Sequence, residues 1–92
     1  MFTWDEAKRQ SNLAKHGVDF EFATALDWDR AVLKPDQRKD YGEDRFNAFI
    51  PHPADNRLYV AILTPRPPDL RLISLRKANK REQREWRRIH DD

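Results

Sequence analysis

Nine lysines and arginines crowd residues 66–88 against three acids, a net of +6. Arg66, Arg76, Lys77, Lys80, Arg81 and Arg84 all fall in this stretch. Residues 1–65 carry nine basic and eleven acidic side chains, a net of −2, and Asp91 and Asp92 bring the whole to +2. A guanidinium is always charged, and its fork fits two phosphate oxygens at once. Phosphate is therefore the most obvious partner for the stretch. A solvated face on an ordinary charged helix has the same composition, and charge alone does not choose between the two.

Other chemistries find little support. The chain has only Gly17 and Gly42, so no glycine-rich loop cradles a phosphate. His16, His52 and His90 show no metal-ligand spacing. No Ser-His-Asp or Cys-His arrangement can be argued. There is no cysteine, hence no disulfide framework and no thiolate metal site, which fits a reducing cytoplasm. No cofactor is implied.

Ninety-two residues predict a single domain, 1–92, with a modest core. The chain is 37% charged, yet three Trp, two Tyr and five Phe are too many for a disordered tail. The longest apolar run, Leu58 to Leu63, is too short to cross a bilayer, and the N-terminus lacks the pattern of a signal peptide. No membrane role is expected.

The elements that must position the basic stretch follow from local pattern. Phe2-Thr3-Trp4 is a brief β-prone edge. Asp5 can cap a helix through His16, which Gly17 ends. Ala7, Leu13 and Ala14 give that helix only a weak apolar stripe. Asp19 can cap a second short helix holding Phe22, Ala23, Ala25 and Leu26. Ala31-Val32-Leu33 reads as a strand stopped by Lys34-Pro35, and residues 35–44 as a loop. Arg45 to Ile50 alternates, so it is a strand with Phe46, Ala48 and Ile50 on one face. Arg57 to Thr64 is apolar throughout, a central strand covered on both faces. Pro65 to Asp69 is expected to be a stiff loop with no room for a ladder. Leu70 to Arg76 is the next strand. Strict alternation puts Leu70, Leu72, Ser74 and Arg76 on one face and Arg71, Ile73, Leu75 and Lys77 on the other. Asn79-Lys80-Arg81-Glu82 matches a capping box that starts a basic last helix, anchored by Trp86 and Ile89. The three tryptophans are expected in the core. The predicted class is α+β: a small antiparallel meander with two N-terminal helices on one face and a basic C-terminal helix.

Three blocks of the chain are read together. The first is Phe2-Thr3-Trp4-Asp5-Glu6-x-Lys8 … Asn12-x-x-Lys15-His16-Gly17-Val18-x-Phe20. The second is Gly42-Glu43-Asp44-Arg45. The third is Arg71-Leu72-Ile73-Ser74-Leu75-Arg76-Lys77-Ala78 … Arg81-Glu82. In order and spacing these blocks resemble the BrnT family of bacterial toxins, and they span nearly the whole chain. Two departures stand out. The loop Thr64 to Asp69 is proline-rich, although Arg66 sits at the matching arginine, and Leu75 replaces a small residue. The resemblance implies a RelE-like fold and a ribonuclease that arrests translation, the toxin half of a type II toxin–antitoxin pair. It also implies a BrnA-like antitoxin as partner, with a ribbon-helix-helix part, and operator DNA bound only through the toxin–antitoxin complex.

Metal-free RNA cleavage requires a base for the 2′-hydroxyl proton, positive charge for the phosphorane and an acid for the leaving 5′-oxygen. On the implied activity, Arg66 and Arg76 would hold the phosphorane, with Arg45 supporting. His16 and Glu43 are candidate base and acid in either order. Lys77, Lys80, Arg81 and Arg84 would hold the RNA backbone. Each has a plainer role available. His16 can serve the helix dipole, Glu43 can pair with Arg45, Arg76 can pair with an acid, and the helix cations can face water or an antitoxin. A non-catalytic domain that binds nucleic acid or an acidic partner through the basic helix is the alternative from a different class.

Overall fold

Asp5 is where the first strand becomes the first helix. In the computed structural model, which describes residues 1–37 and 42–90, β1 (Phe2–Trp4) runs directly into α1 (Glu6–His16). The Asp5 carboxylate accepts the Ala7 N–H at 2.8 Å and the Lys8 N–H at 3.2 Å, so two orphan donors of the first turn are satisfied. Gly17 ends the helix at φ 70°, where a side chain would be strained, and its N–H donates to the Leu13 carbonyl.

One α-helix precedes the main sheet, not two. The expected second helix is a 3₁₀ segment, Phe20–Ala25, whose Asp19 cap accepts the Glu21 N–H at 3.0 Å. A second 3₁₀ turn, Trp28–Arg30, follows. Six residues between a capping Asp and a buried Leu26 leave little length for α-type pairing, and i→i+3 bonds take over.

The remaining strands are β2 (Val32–Pro35), β3 (Phe46–Pro51), β4 (Leu58–Arg66) and β5 (Asp69–Lys77), followed by α2 (Lys80–His90). The sheet order is β1-β5-β4-β3-β2. From β2 to β5 the sheet is the expected antiparallel meander. The sheet as a whole is mixed, because β1 lies parallel to β5, with Phe2, Thr3 and Trp4 opposite Leu70, Arg71 and Leu72. Parallel pairing is possible here because α1 and three strands lie between the two in sequence, so no tight turn dictates their direction. The strand at 31–33 extends through Pro35, which corrects its expected stop. Of the expected loop 35–44, residues 38–41 lie outside the described residues.

The proline-rich segment is also a correction. Pro65 pairs with Leu70 and Arg66 with Asp69, so the ladder continues to the tip of the hairpin. Only Pro67 and Pro68, joined by a cis peptide bond, form the turn. β3 begins opposite Leu63, so beyond that point β4 is an edge strand, where proline is tolerated.

The larger core lies between the sheet and the N-terminal elements. Phe20, Ile50, Leu63, Leu72 and Leu75 are its largest fully buried apolar side chains, and Phe2, Trp4 and Trp28 close its rim. Each such side chain contributes about 1.5–3 kcal/mol on burial. α1 adds little apolar surface: Asn12 is its one buried residue, and Leu13 is exposed. Polar contacts hold it instead. Arg9 grips Asp19 through two bonds of 2.9 and 2.8 Å. Asn12 accepts the Leu75 N–H at 3.1 Å and donates to the Leu75 carbonyl at 2.7 Å. β1 reaches only as far as Leu72, and the Asn12 amide then does for Leu75 what a neighbouring strand would do.

The opposite sheet face is covered at one end by α2. The capping box is formed: Glu82 accepts the Asn79 N–H, and the Asn79 side chain accepts the Glu82 N–H, both at 2.8 Å. Trp86 packs with Phe49 on a small cluster of Leu58, Val60 and Ala78. Ile89, the other expected anchor, is exposed. No described helix is long and apolar enough to cross a membrane.

Candidate functional site

A bulge in β5 decides which basic side chains share a surface. Ile62 pairs with Ser74, but its neighbour Leu63 pairs with Leu72, leaving Ile73 as an extra residue. Leu72 and Leu75 therefore both enter the larger core. Arg71, Ser74 and Arg76 emerge together on the other face, against the strict alternation expected from sequence. Through the ladder this face continues to Ile62, Thr64 and Arg66 of β4, Asn47 of β3 and Lys34 of β2. α2 covers it near Val60 and Arg76. Residues 43–44 cover it near Thr64, whose hydroxyl donates to the Asp44 carbonyl at 2.6 Å. Between these two covers runs an open strip bearing Lys34, Asn47, Arg71 and Ser74.

At one end of the strip Arg76 holds Glu82 with two parallel bonds of 2.8 and 2.9 Å. This fork holds the Glu82 carboxyl below its ordinary range, with help from the Asn79 N–H. One carboxylate thus serves both Arg76 and the start of α2. His16, half-buried at the end of α1, is within electrostatic reach of Arg76. Its burial, then Lys15 and Arg76, hold its pKa below the ordinary histidine value, which favours the neutral imidazole. Lys77, Lys80, Arg81 and Arg84 are exposed, and their side chains make no ion pair among the described residues.

At the other end Arg66 meets Glu43 at 2.9 Å, and the Thr64 hydroxyl reaches the same carboxylate at 3.2 Å. Arg66 and, more distantly, Arg45 keep Glu43 ionised. Arg66 lies six positions along β4 from Val60, which pairs with Arg76. At a strand rise of about 3.3 Å per residue, the two arginines start about 20 Å apart. The five expected catalytic residues therefore form two groups: His16 with Arg76, and Glu43 with Arg45 and Arg66.

A family model for the ribonuclease toxin BrnT of type II toxin–antitoxin systems matches residues 4–82. The chain belongs to this family of toxins. No curated relative matches it. The matched span contains both Arg–Glu pairs, His16 and every candidate above except Arg84. Membership makes the protein a ribonuclease toxin with RNA as target and an antitoxin as partner.

The arrangement suits that role. An imidazole, arginine guanidiniums and hydroxyl groups border a strip long enough for an RNA backbone. Arg71, Ser74, Asn47 and Lys34 were absent from the expected set. One signal in the sequence pointed to the first two: Leu72 and Leu75, both large and apolar, are three apart, which a regular strand cannot bury on one face. Lys34 and Asn47 join only through cross-strand register, and Lys34 is steadied over the Phe49 ring at 5.6 Å.

Proposed function

We propose that this BrnT-family toxin is a metal-independent endoribonuclease that cuts at the Arg76 end of the open strip, arrests translation in the cytoplasm and is neutralised by a BrnA-like antitoxin. The observation that carries the proposal is the placement of His16, at the end of α1, within electrostatic reach of Arg76 at one end of a basic strip. His16 takes the proton of the 2′-hydroxyl, and the 2′-oxygen attacks phosphorus. Arg76 exchanges Glu82 for the phosphorane oxygens and neutralises their added charge. The bond to the 5′-oxygen breaks, the 5′-oxygen takes a proton from water, and a 2′,3′-cyclic phosphate remains. Glu43 is ionised and distant, which disfavours it as the acid at this phosphate. Arg45 and Arg66 hold a more remote part of the RNA, with Arg66 exchanging Glu43 for a backbone phosphate. Lys77, Lys80, Arg81 and Arg84 offer the backbone contacts, or the face that the antitoxin covers. Operator DNA is bound only through the antitoxin complex.

The bidentate Arg76–Glu82 clamp also favours a second reading, in which Arg76 only holds α2 and the basic face binds without cutting. Labelled RNA incubated with the purified protein in EDTA decides between them. The ribonuclease gives a 2′,3′-cyclic product that disappears with His16→Ala and with Arg76→Ala. A folded protein that binds RNA and yields no product refutes the ribonuclease reading.

A further inference from the structure

α1 turns a polar stripe toward the bulged edge of β5. Lys8, Ser11, Asn12, Lys15 and His16 are spaced i, i+3, i+4, i+7, i+8, one face of a helix. With Ile73 and Ser74 they line a notch of about 210 Å³. Asn12 is already committed to Leu75, so it forms the floor. Ser74 stands at the mouth, its hydroxyl only weakly held by Asn12 at 3.4 Å. No carboxylate of the described residues lines the notch. The nearest acid on the same helix, Glu6, is taken by Arg9. Lys8 and Lys15 are exposed, and their side chains make no ion pair among the described residues.

We propose that this notch is a second phosphate subsite, holding a backbone phosphate of single-stranded RNA beside the one that Arg76 engages. The inference rests on the ribonuclease reading for its substrate. Two ammonium groups and two hydroxyls, with no acid, match a phosphate diester. Apart from His16, which serves the 2′-hydroxyl, the lining residues offer no ring on which a base could stack, so the contact is with backbone and not with sequence. Ser74 belongs both to the notch and to the open strip, and His16 joins the notch to Arg76. The RNA path therefore crosses the β5 edge where the bulge leaves it uncovered.

The test uses a 2′-O-methyl RNA oligonucleotide, which cannot be cut, with binding measured by fluorescence anisotropy across NaCl concentrations. Lys8→Gln/Lys15→Gln should weaken binding about tenfold at low salt. Its log–log salt slope should be shallower by about 0.7, the loss of one single-strand phosphate contact. A Lys8→Arg/Lys15→Arg pair should restore both, and one neutral methylphosphonate at the responsible position should erase the difference between wild type and the Gln pair. Equal affinity and slope for the Gln pair and wild type, with both folded by circular dichroism, overturns the subsite. So does a loss that no single methylphosphonate position reproduces. If wild type fails to cut unmodified RNA while the Gln pair still loses the slope, the subsite stands and the ribonuclease reading falls.

Discussion

Arg66 and Arg76 each meet a glutamate, and the two pairs are built for different work. Arg66 and Glu43 meet at the hairpin tip with side chains 53% and 32% exposed, and only one arginine nitrogen is within 3 Å of the carboxylate. Water already competes for that contact, so exchanging the carboxylate for an RNA phosphate costs little. Arg76 and Glu82 are 34% and 20% exposed, joined by two short bonds. Glu82 also caps α2, so the pair is tied to the attachment of the helix. When Arg76 turns to a phosphate, Glu82 keeps its Asn79 bond and α2 keeps its start. On the proposed mechanism, the arginine at the chemical centre is thus held in place by the helix beside it, and the arginine at the periphery is held loosely.

The sharpest way to break this contrast is to remove each arginine in turn. Arg76→Ala should lower cleavage by about 10²–10³-fold, the range for losing one charge-stabilising donor. It should also lower stability by about 1–2 kcal/mol, because Glu82 loses its charged partner while half-buried. Arg66→Ala should lower cleavage by no more than about tenfold and leave the urea midpoint where it was. Initial rates on labelled RNA, beside urea melts of the same preparations, measure both quantities. Equal losses of activity from the two substitutions would show that the chemistry is not localised at Arg76.

Asn12→Ala comes next, and it reaches Arg76 through the backbone. It strips the Leu75 N–H and carbonyl of their buried partner, at a cost of about 2–3 kcal/mol. Leu75 adjoins Arg76, so the substitution should also reduce activity at temperatures where the variant is still folded. The Glu43–Arg66 pair, at the far end of the strip, should keep its geometry. Amide exchange separates the two ends: protection should fall around Leu75 and persist around Thr64.

Asn12 also shows why part of the molecule was hidden in the sequence. Caps, turns and strands were legible wherever a local pattern specified them: Asp5 and Gly17 around α1, Asn79 and Glu82 at α2, the alternation of β3 and the apolar run of β4. Long-range choices were not. Nothing local tells β1 to run parallel to β5, or a mid-helix asparagine to stand in for a strand. Prolines 65 and 67 argued against a ladder because the sequence does not show that β3 stops short and leaves β4 an edge. For the site, the residue types were legible and the blocks at His16, Glu43 and Arg76 led to the family. Their grouping was not, because a single extra residue at Ile73 moves Arg71 to the other side of the sheet.

Acid titration tests the clamp with a smaller effect. Glu82 has a folded pKa below its ordinary value near 4.5. Its contribution is therefore complete above about pH 4.5 and is lost as pH falls through the lowered folded value. Glu82→Gln should cost about 1 kcal/mol at pH 7. The gap between wild type and variant should close as pH drops well below 4.5. Urea melts from pH 7 to pH 3 follow it. A gap that stays constant across that range would assign the loss to shape or capping, and would remove the charge argument that ties Arg76 to α2.

The smallest expected effect concerns the outer face of α2, which belongs to neither pair. Arg84 is exposed on α2 and lies just beyond the matched residues 4–82. If it touches only RNA backbone, Arg84→Gln should weaken binding of a non-cleavable oligonucleotide a few-fold at low salt and leave its sequence preference unchanged. Its log–log salt slope should be shallower by about 0.7. Stability and the rate at saturating RNA should not move, because the side chain makes no ion pair among the described residues and stands apart from His16 and Arg76. If RNA affinity is unchanged while neutralisation by a co-expressed antitoxin is lost, the outer face serves the partner, and the RNA is confined to the strip between the two Arg–Glu pairs.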